Sequence, residues 1–396
     1  MKITIDKSFP GGNIFVESIQ EEMVVLNPEL RDTAGNWFYW QARVRGAAGK
    51  KLLFRVELPS RRDYPTLSSR GPAVCAKNGR WHWHQLGKTS PTSFEYQFAT
   101  DEHEVFFSNT IPYTEKDWRL FLQSEQLQDS ELCVSQAGRR IEKLELRHGI
   151  PRCQFLSTAR HHCCETIANF VLEGIVQELR QNWSDFAMLM IPFMDKDGSE
   201  EGDQGKNRRP HDHNRDYRAG GSIYPSVKAL REYAPRWLCP ETPLFAFDAH
   251  CPMLANDEFP HWTENENLLL RAHQHHYARC LQSVQRAGFG FHADSGTPYG
   301  VGNNSERRPT ATNWFATLPN IEMPMTIETP YAFCNGRSGI YDYQTAKMYF
   351  APAPGVPPPG TVVLPNSARE WGRDLVRAVA KYLQNPPRSS SIRPSV

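Results

Sequence analysis

"CQFLSTARHHCCETIANFVLEGIVQEL", residues 153–179, is the stretch on which the fold turns. Its first seven residues, CQFLSTA, read as a strand. From Ile167 onward the pattern changes. Ile167, Val171, Leu172, Ile175, Val176 and Leu179 recur on one side of a helix. Between strand and helix, two histidines, two cysteines and a glutamate fall within five positions. A strand that delivers chemistry-bearing residues into a helix is the repeating unit of an α/β sheet.

The alternation continues downstream. "FAMLMIPFM" and "PLFAFDA" (243–249) read as buried strands, "NENLLLRAHQHHYARCLQSVQRAG" as a helix and "MPMTIETPY" as a further strand. "YFAPAPGVPPPGTVVLPNS" is a Pro/Gly-rich connector. "AREWGRDLVRAVAKYL" is an amphipathic helix with Trp371, Leu375, Val379 and Leu383 on one face. Upstream the texture is all-β. "MVVLNPEL", "WFYWQARVRG", "KLLFRVEL" and "SFEYQFAT" are short, rich in β-branched and aromatic residues, and separated by turn clusters. "IPYTEKDWRLFLQSEQ" then turns helical. The predicted organisation is an antiparallel β-sandwich over 1–112, an α/β domain with a mixed, largely buried sheet over 113–384, and a disordered tail over 385–396. Trp37, Tyr39, Trp40, Trp81 and Trp83 could face solvent as a carbohydrate-binding surface; ordinary packing is the simpler expectation.

Composition narrows the function. Forty-five basic and 44 acidic residues leave a formal net charge of +1, so no global electrostatic argument favours nucleic acid. The first residues, "MKITIDKSFPGGN", lack the apolar core of a secretory signal. The longest apolar run is far too short to span a membrane. The expectation is a soluble cytoplasmic protein with no membrane or nucleic-acid partner, of unspecified oligomeric state. Nine cysteines, with no CxxC pair, read as reduced and mostly buried.

Four pieces carry chemistry. His162 and Glu165 are spaced i, i+3 where a strand meets a helix, which lets an imidazole and a carboxylate converge on one ion. By residue type alone, His161, Cys163 and Cys164 are equal candidates. "FAFDAHCP" ends a buried strand in Asp248 and His250, where α/β sheets bind ligands; Asp248 could buttress a nearby group. The polar loop 191–217 carries Arg208, Arg209 and the pair Asn214–Arg215, and a guanidinium can hold a carboxylate in a bidentate fork. Glu328 sits in an apolar strand, where a carboxylate needs a partner or a role.

In this order the four pieces resemble the zinc carboxypeptidase family, in its cytosolic carboxypeptidase branch. The family's Arg-x-His-Pro-Gly-Glu is similar to Arg160-His161-His162-Cys163-Cys164-Glu165. Its "NPDG…DLNRN" loop resembles "MDKDG…DHNRDY". Its "DxH" and "TLE" strand ends resemble Asp248-Ala249-His250 and Thr326-Ile327-Glu328. "GGNI" (11–14), "WFYW" (37–40) and "IPYTEKDW" (111–118) resemble the branch's N-terminal sandwich.

The resemblance implies one zinc per chain, held by His162, Glu165 and His250, with neither cysteine as ligand. It implies Glu328 as general base and Asn214 with Arg215 as clamp for a substrate's terminal carboxylate. It also calls for an arginine that polarises the scissile carbonyl, Arg208 slightly ahead of Arg209. Tyr299 is the candidate for the family's loop tyrosine. Peptide or protein C-termini are the implied substrates, cut at a peptide or isopeptide bond. Acidic preference would need basic pocket residues; Arg307 and Arg308 lie upstream of the base, with no sequence signal that places them in the pocket. The alternatives are a zinc-dependent deacylase of small acylated amino acids and a non-enzymatic binding protein on the same scaffold.

Overall fold

A computed structural model describes residues 2–67, 71–76, 79–84, 90–252, 259–298, 308–334, 339–342, 347–350 and 361–387. The first nine strands are β1 (Thr4–Asp6), β2 (Phe15–Gln20), β3 (Met23–Asn27), β4 (Gln41–Arg45), β5 (Lys51–Val56), β6 (Ala73–Cys75), β7 (Trp81–Trp83), β8 (Ser93–Gln97) and β9 (Glu104–Ser108). They form a five-stranded antiparallel sheet, β1-β4-β9-β6-β7, and a four-stranded sheet, β2-β3-β5-β8, in which only β3 and β5 run parallel. Alternating residues such as Val24, Leu26, Val44, Phe54, Phe94 and Phe107 meet between the sheets in a core of their own. Trp37, Tyr39, Trp40 and Trp83 are buried and Trp81 packs partly buried against the core, so these aromatics present no open carbohydrate-binding face.

The rest of the chain alternates. It runs α1 (Glu115–Glu125), β10 (Ser130–Val134), β11 (Arg140–His148), β12 (Cys153–Ala159), α2 (Ile167–Asn182), β13 (Phe186–Ile191), α3 (Lys196–Glu201), α4 (Pro225–Trp237) and β14 (Leu244–His250). Then follow β15 (His261–Thr263), α5 (Leu268–Val284), β16 (Gly296–Thr297), α6 (Ala311–Phe315), β17 (Ile321–Glu328), β18 (Phe333–Cys334), β19 (Gly339–Asp342), β20 (Lys347–Phe350), β21 (Thr361–Val362) and α7 (Pro365–Gln384). Eight strands build one mixed sheet in the order β10-β11-β13-β12-β14-β17-β15-β16.

The central strands are buried on both faces, which is why they read as unbroken apolar runs. Their side chains still alternate. Phe155, Met188 and Phe245 join α2, α5 and α7 on one face; Leu156, Leu189 and Ala246 join α4 and α6 on the other. β12, β13, β14 and β17 are mutually parallel, so their carboxyl ends share one edge. From β12 the chain passes to β13 on one side, then crosses to β14 on the other. That reversal opens a crevice at the carboxyl edge, the place where sheets of this kind bind ligands. Among the described residues, no helix is long and apolar enough to cross a membrane.

Candidate active site

The crevice is built from strand tips. Arg160 leaves β12 with φ +62° and breaks the strand. Its buried guanidinium donates to the carbonyls of Cys163 (2.7 Å) and Tyr113 (2.8 Å) and to Asn169 Oδ1 (2.9 Å). These bonds fold residues 161–165 into a tight turn ahead of α2. Gly205 presses against that turn from the loop 202–208. It holds φ +74°, and a Cβ there would lie 2.3 Å from Cys163 N, so only glycine fits.

His162, Glu165 and His250 come together. One ligand-capable atom from each lies within 4.8 Å of the others, and all three residues are buried. His162 Nδ1 is 3.0 Å from Glu165 Oε1, and His250 Nδ1 is 2.7 Å from Glu165 Oε2. The opposite nitrogen of each ring faces an aspartate: His250 Nε2 is 2.6 Å from Asp248 Oδ2, and His162 Nε2 is 3.7 Å from Asp212 Oδ1. Two imidazoles aimed at one point, each backed by a carboxylate, are the arrangement of metal-ligating histidines. The donor set therefore fits a metal ion. Burial pushes the Glu165 carboxyl up, but Lys206, His162 and His250 outweigh it and hold the group well below the usual carboxylate range. Burial lowers His250 as well, yet Asp248 and Glu165 carry it well above the usual imidazole value.

His161 is drawn elsewhere. Its Nδ1 is 2.8 Å from Asp248 Oδ1 and its Nε2 is 2.7 Å from the Tyr217 hydroxyl. With Asp248 and His250 it forms a second group of metal-capable geometry. Thr158 Oγ1 donates to the same Asp248 oxygen at 2.7 Å, so Asp248 buttresses two histidines at once. Cys163 and Cys164 are buried free thiols outside both groups. Burial pushes the Cys164 thiol up to about 12, which keeps it protonated.

Glu328 ends β17 directly beside His250 on β14, in register, and beside His261 on β15. Its Oε2 is buried without a hydrogen-bond partner. Asn214 and Arg215 lie on a 3-10 turn, His213–Arg215. Asn214 Nδ2 is 3.3 Å from His250 Nε2, and its Oδ1 accepts from Ala311 N at 2.9 Å. Arg215 donates to the Asn214 carbonyl at 3.0 Å. Burial lowers the Arg215 guanidinium against the opposing charge of Asp212, and the charge of Arg308 lowers it further, placing two cations near the crevice. Among the described residues neither has a carboxylate at ion-pair distance. Arg307 and Tyr299 lie outside the described residues.

Arg208 lies beside the turn that carries His162, 3.9 Å from Cys163 Sγ. Its guanidinium is bound by Asp32 (3.0 Å), Asp195 (2.9 Å) and Asp203 (2.9 Å). Arg209 is exposed. Lys206, which the sequence did not single out, is the cation that reaches the centre: its Nζ is 2.6 Å from Glu165 Oε1. Asp212 was missed too; its only sequence signal is its place two residues before Asn214.

No family model matches the sequence, and no curated protein matches it. Solved structures do. A metallo-carboxypeptidase from Burkholderia cenocepacia superposes with a TM-score of 0.71 at 17% identity, over 97% of this chain and 99% of that one. A metallo-carboxypeptidase from Pseudomonas aeruginosa, in complex with (2-guanidinoethylmercapto)succinic acid, gives a TM-score of 0.69 at 18% identity, over 96% and 99%. At such identity the likeness is one of fold: this chain has the metallo-carboxypeptidase fold over nearly its whole length.

Proposed function

We propose that this chain is a zinc carboxypeptidase, of the family's cytosolic branch, that hydrolyses the C-terminal peptide or isopeptide bond of peptides or proteins. The observation that carries the reading is the convergence of His162, Glu165 and His250 at the carboxyl edge, with the unpaired oxygen of Glu328 in register beside them. Zinc accepts this nitrogen and oxygen donor set, and when bound it supplies Lewis acidity and makes water acidic enough to act near neutral pH.

The chain's own residues do the rest. Glu328 takes the proton of the attacking water and hands it to the leaving amine. Arg215 and Asn214 hold the terminal carboxylate of the substrate. A half-shielded guanidinium with no carboxylate at ion-pair distance among the described residues is suited to an anion brought from outside.

The test pairs metal analysis with end-group chemistry. Wild type dialysed against zinc should hold one ion per chain, His162→Ala and His250→Ala should lose it, and Cys163→Ser and Cys164→Ser should keep it. One peptide in free-acid and amide forms should then differ by about 100-fold or more in kcat/KM, because amidation leaves Arg215 unpaired. Arg215→Ala should flatten that difference. Equal cleavage of both forms by the wild type would refute carboxypeptidase action and favour a deacylase.

A further inference from the structure

Hydrolysis of an amide puts negative charge on the carbonyl oxygen, and a buried, pre-positioned cation is the strongest way to stabilise it. The cations around the crevice differ in what already holds them. Arg208 is bound by three carboxylates, Arg209 faces solvent, and Arg215 stands at the carboxylate clamp. Among the described cations, Lys206 alone forms an ion pair with the metal-capable cluster. Its side chain is only 13% exposed and lies over the Trp37 ring at 5.2 Å, and Glu328 is within electrostatic reach.

Its backbone is fixed as well. Asp32 accepts from Gln204 N at 3.0 Å and from Gly205 N at 2.8 Å, and Gly205 packs on the turn that carries His162. A short anchored segment thus delivers an ammonium on a flexible stem to the centre of the site.

We propose that Lys206 is a catalytic residue, the cation that stabilises the oxyanion at the scissile carbonyl. The inference rests on the carboxypeptidase reading above. The Lys206 ammonium neutralises Glu165. With an ion held by His162, Glu165 and His250, that ammonium would be available to donate to the substrate. As water adds to the carbonyl carbon, the π pair moves onto oxygen and Lys206 donates an N–H to it. On collapse the pair returns, the C–N bond breaks, and the leaving nitrogen receives its proton from Glu328.

The test uses full-length wild type, Lys206→Met and Lys206→Arg, each loaded with zinc and titrated calorimetrically with two uncleavable peptides. One carries a phosphinic group at the scissile position, with an anionic oxygen where the oxyanion would be. The other carries an ethylene unit there and keeps the same terminal carboxylate. Lys206→Met should retain one zinc per chain, bind the phosphinic peptide about 100-fold more weakly, and bind the ethylene peptide within threefold of wild type. Lys206→Arg should recover part of the loss. Melting gives an independent readout: the rise in Tm on adding zinc should be larger for Lys206→Met, because its metal-free form leaves Glu165 buried without its ammonium partner. If both peptides weaken equally, or neither does, the assignment is overturned. Loss of zinc from Lys206→Met also overturns it and makes Lys206 a structural partner of Glu165. A wild type that takes up no zinc refutes the carboxypeptidase reading itself, a result distinct from any of these.

Discussion

Glu328 and Glu165 are two carboxylates beside His250 with different surroundings. Glu165 is saturated: two imidazoles and an ammonium surround its oxygens. Glu328 keeps a buried oxygen with no partner, which is what a proton acceptor awaiting substrate requires. Glu328→Gln should therefore retain its zinc while turnover falls by about two orders of magnitude or more, the scale of general-base effects. Near wild-type turnover in that variant would assign the base to another residue. The strand tips carrying Glu165, His250 and Glu328 were legible as apolar runs that end in polar residues, but residue type left His161, Cys163 and Cys164 equal to His162, and only the family resemblance selected it. The partners of the cations were not. Arg208 and Lys206 look alike in a polar loop. What separates them is Asp32, well over a hundred residues away in sequence, which binds one and positions the other.

At the scale of elements, the α2–α7 pair shows what periodicity reveals and what it hides. Both helices were readable from their apolar faces, and β12 runs over Cys153–Ala159 as expected. "WFYW" read as the start of a strand, yet β4 begins only at Gln41, because Trp37 and Phe38 are spent on packing against the second half of the chain. The closeness of α2 and α7 was hidden. A Cβ on Gly174 would lie 1.9 Å from Arg369 O, and one on Gly372 2.0 Å from Val171 O, so each helix backbone touches the other through a glycine. This contact buries Glu173, which accepts from the Tyr113 hydroxyl at 2.7 Å and from Arg369 Nε at 2.6 Å. Burial outweighs both partners and pushes the Glu173 carboxyl from 4.5 up to about 7. The folded state then holds a proton that the unfolded chain releases. Stability from this group is complete below about 4.5, falls as pH rises through the window, and is gone above about 7. Glu173→Gln should melt with a flatter pH dependence between about pH 5 and 8 and should match or exceed wild type at the upper end. Parallel melting profiles would show that Arg369 keeps Glu173 ionised throughout.

The whole molecule is joined at the site. The sandwich has a core of its own, but the largest apolar cluster takes Trp37, Phe38, Trp83 and Ile111 together with the interior of the large sheet. The division into 1–112 and 113–384 is thus a division of topology proposed from sequence, across which one core is continuous. Polar contacts concentrate on the loop 202–208. Asn13 Nδ2 donates to Gly202 O at 2.6 Å, and Gln204 Oε1 accepts from Tyr39 N at 2.9 Å. Asp32 is the centre of this joint, since its two oxygens accept from Gln204 N, Gly205 N and Arg208 Nε. Asp32→Ala removes both acceptor oxygens and with them three hydrogen bonds, leaving shielded donors unpaired at a cost of about 1–3 kcal/mol for each that water cannot reach. Arg208 would retain Asp195 and Asp203, and the metal-capable residues would keep their own contacts, so zinc content should stay at the wild-type level. What should change is the loop. Trypsin should cut after Lys206 in Asp32→Ala at concentrations that leave wild type intact, and turnover should fall with the loosened ammonium. Asp32→Asn, which keeps one oxygen acceptor, should lie between the two. If Asp32→Ala resists trypsin as wild type does and turns over peptide at the same rate, the sandwich merely covers the site, and the position of Lys206 is set by the large sheet and its turns alone.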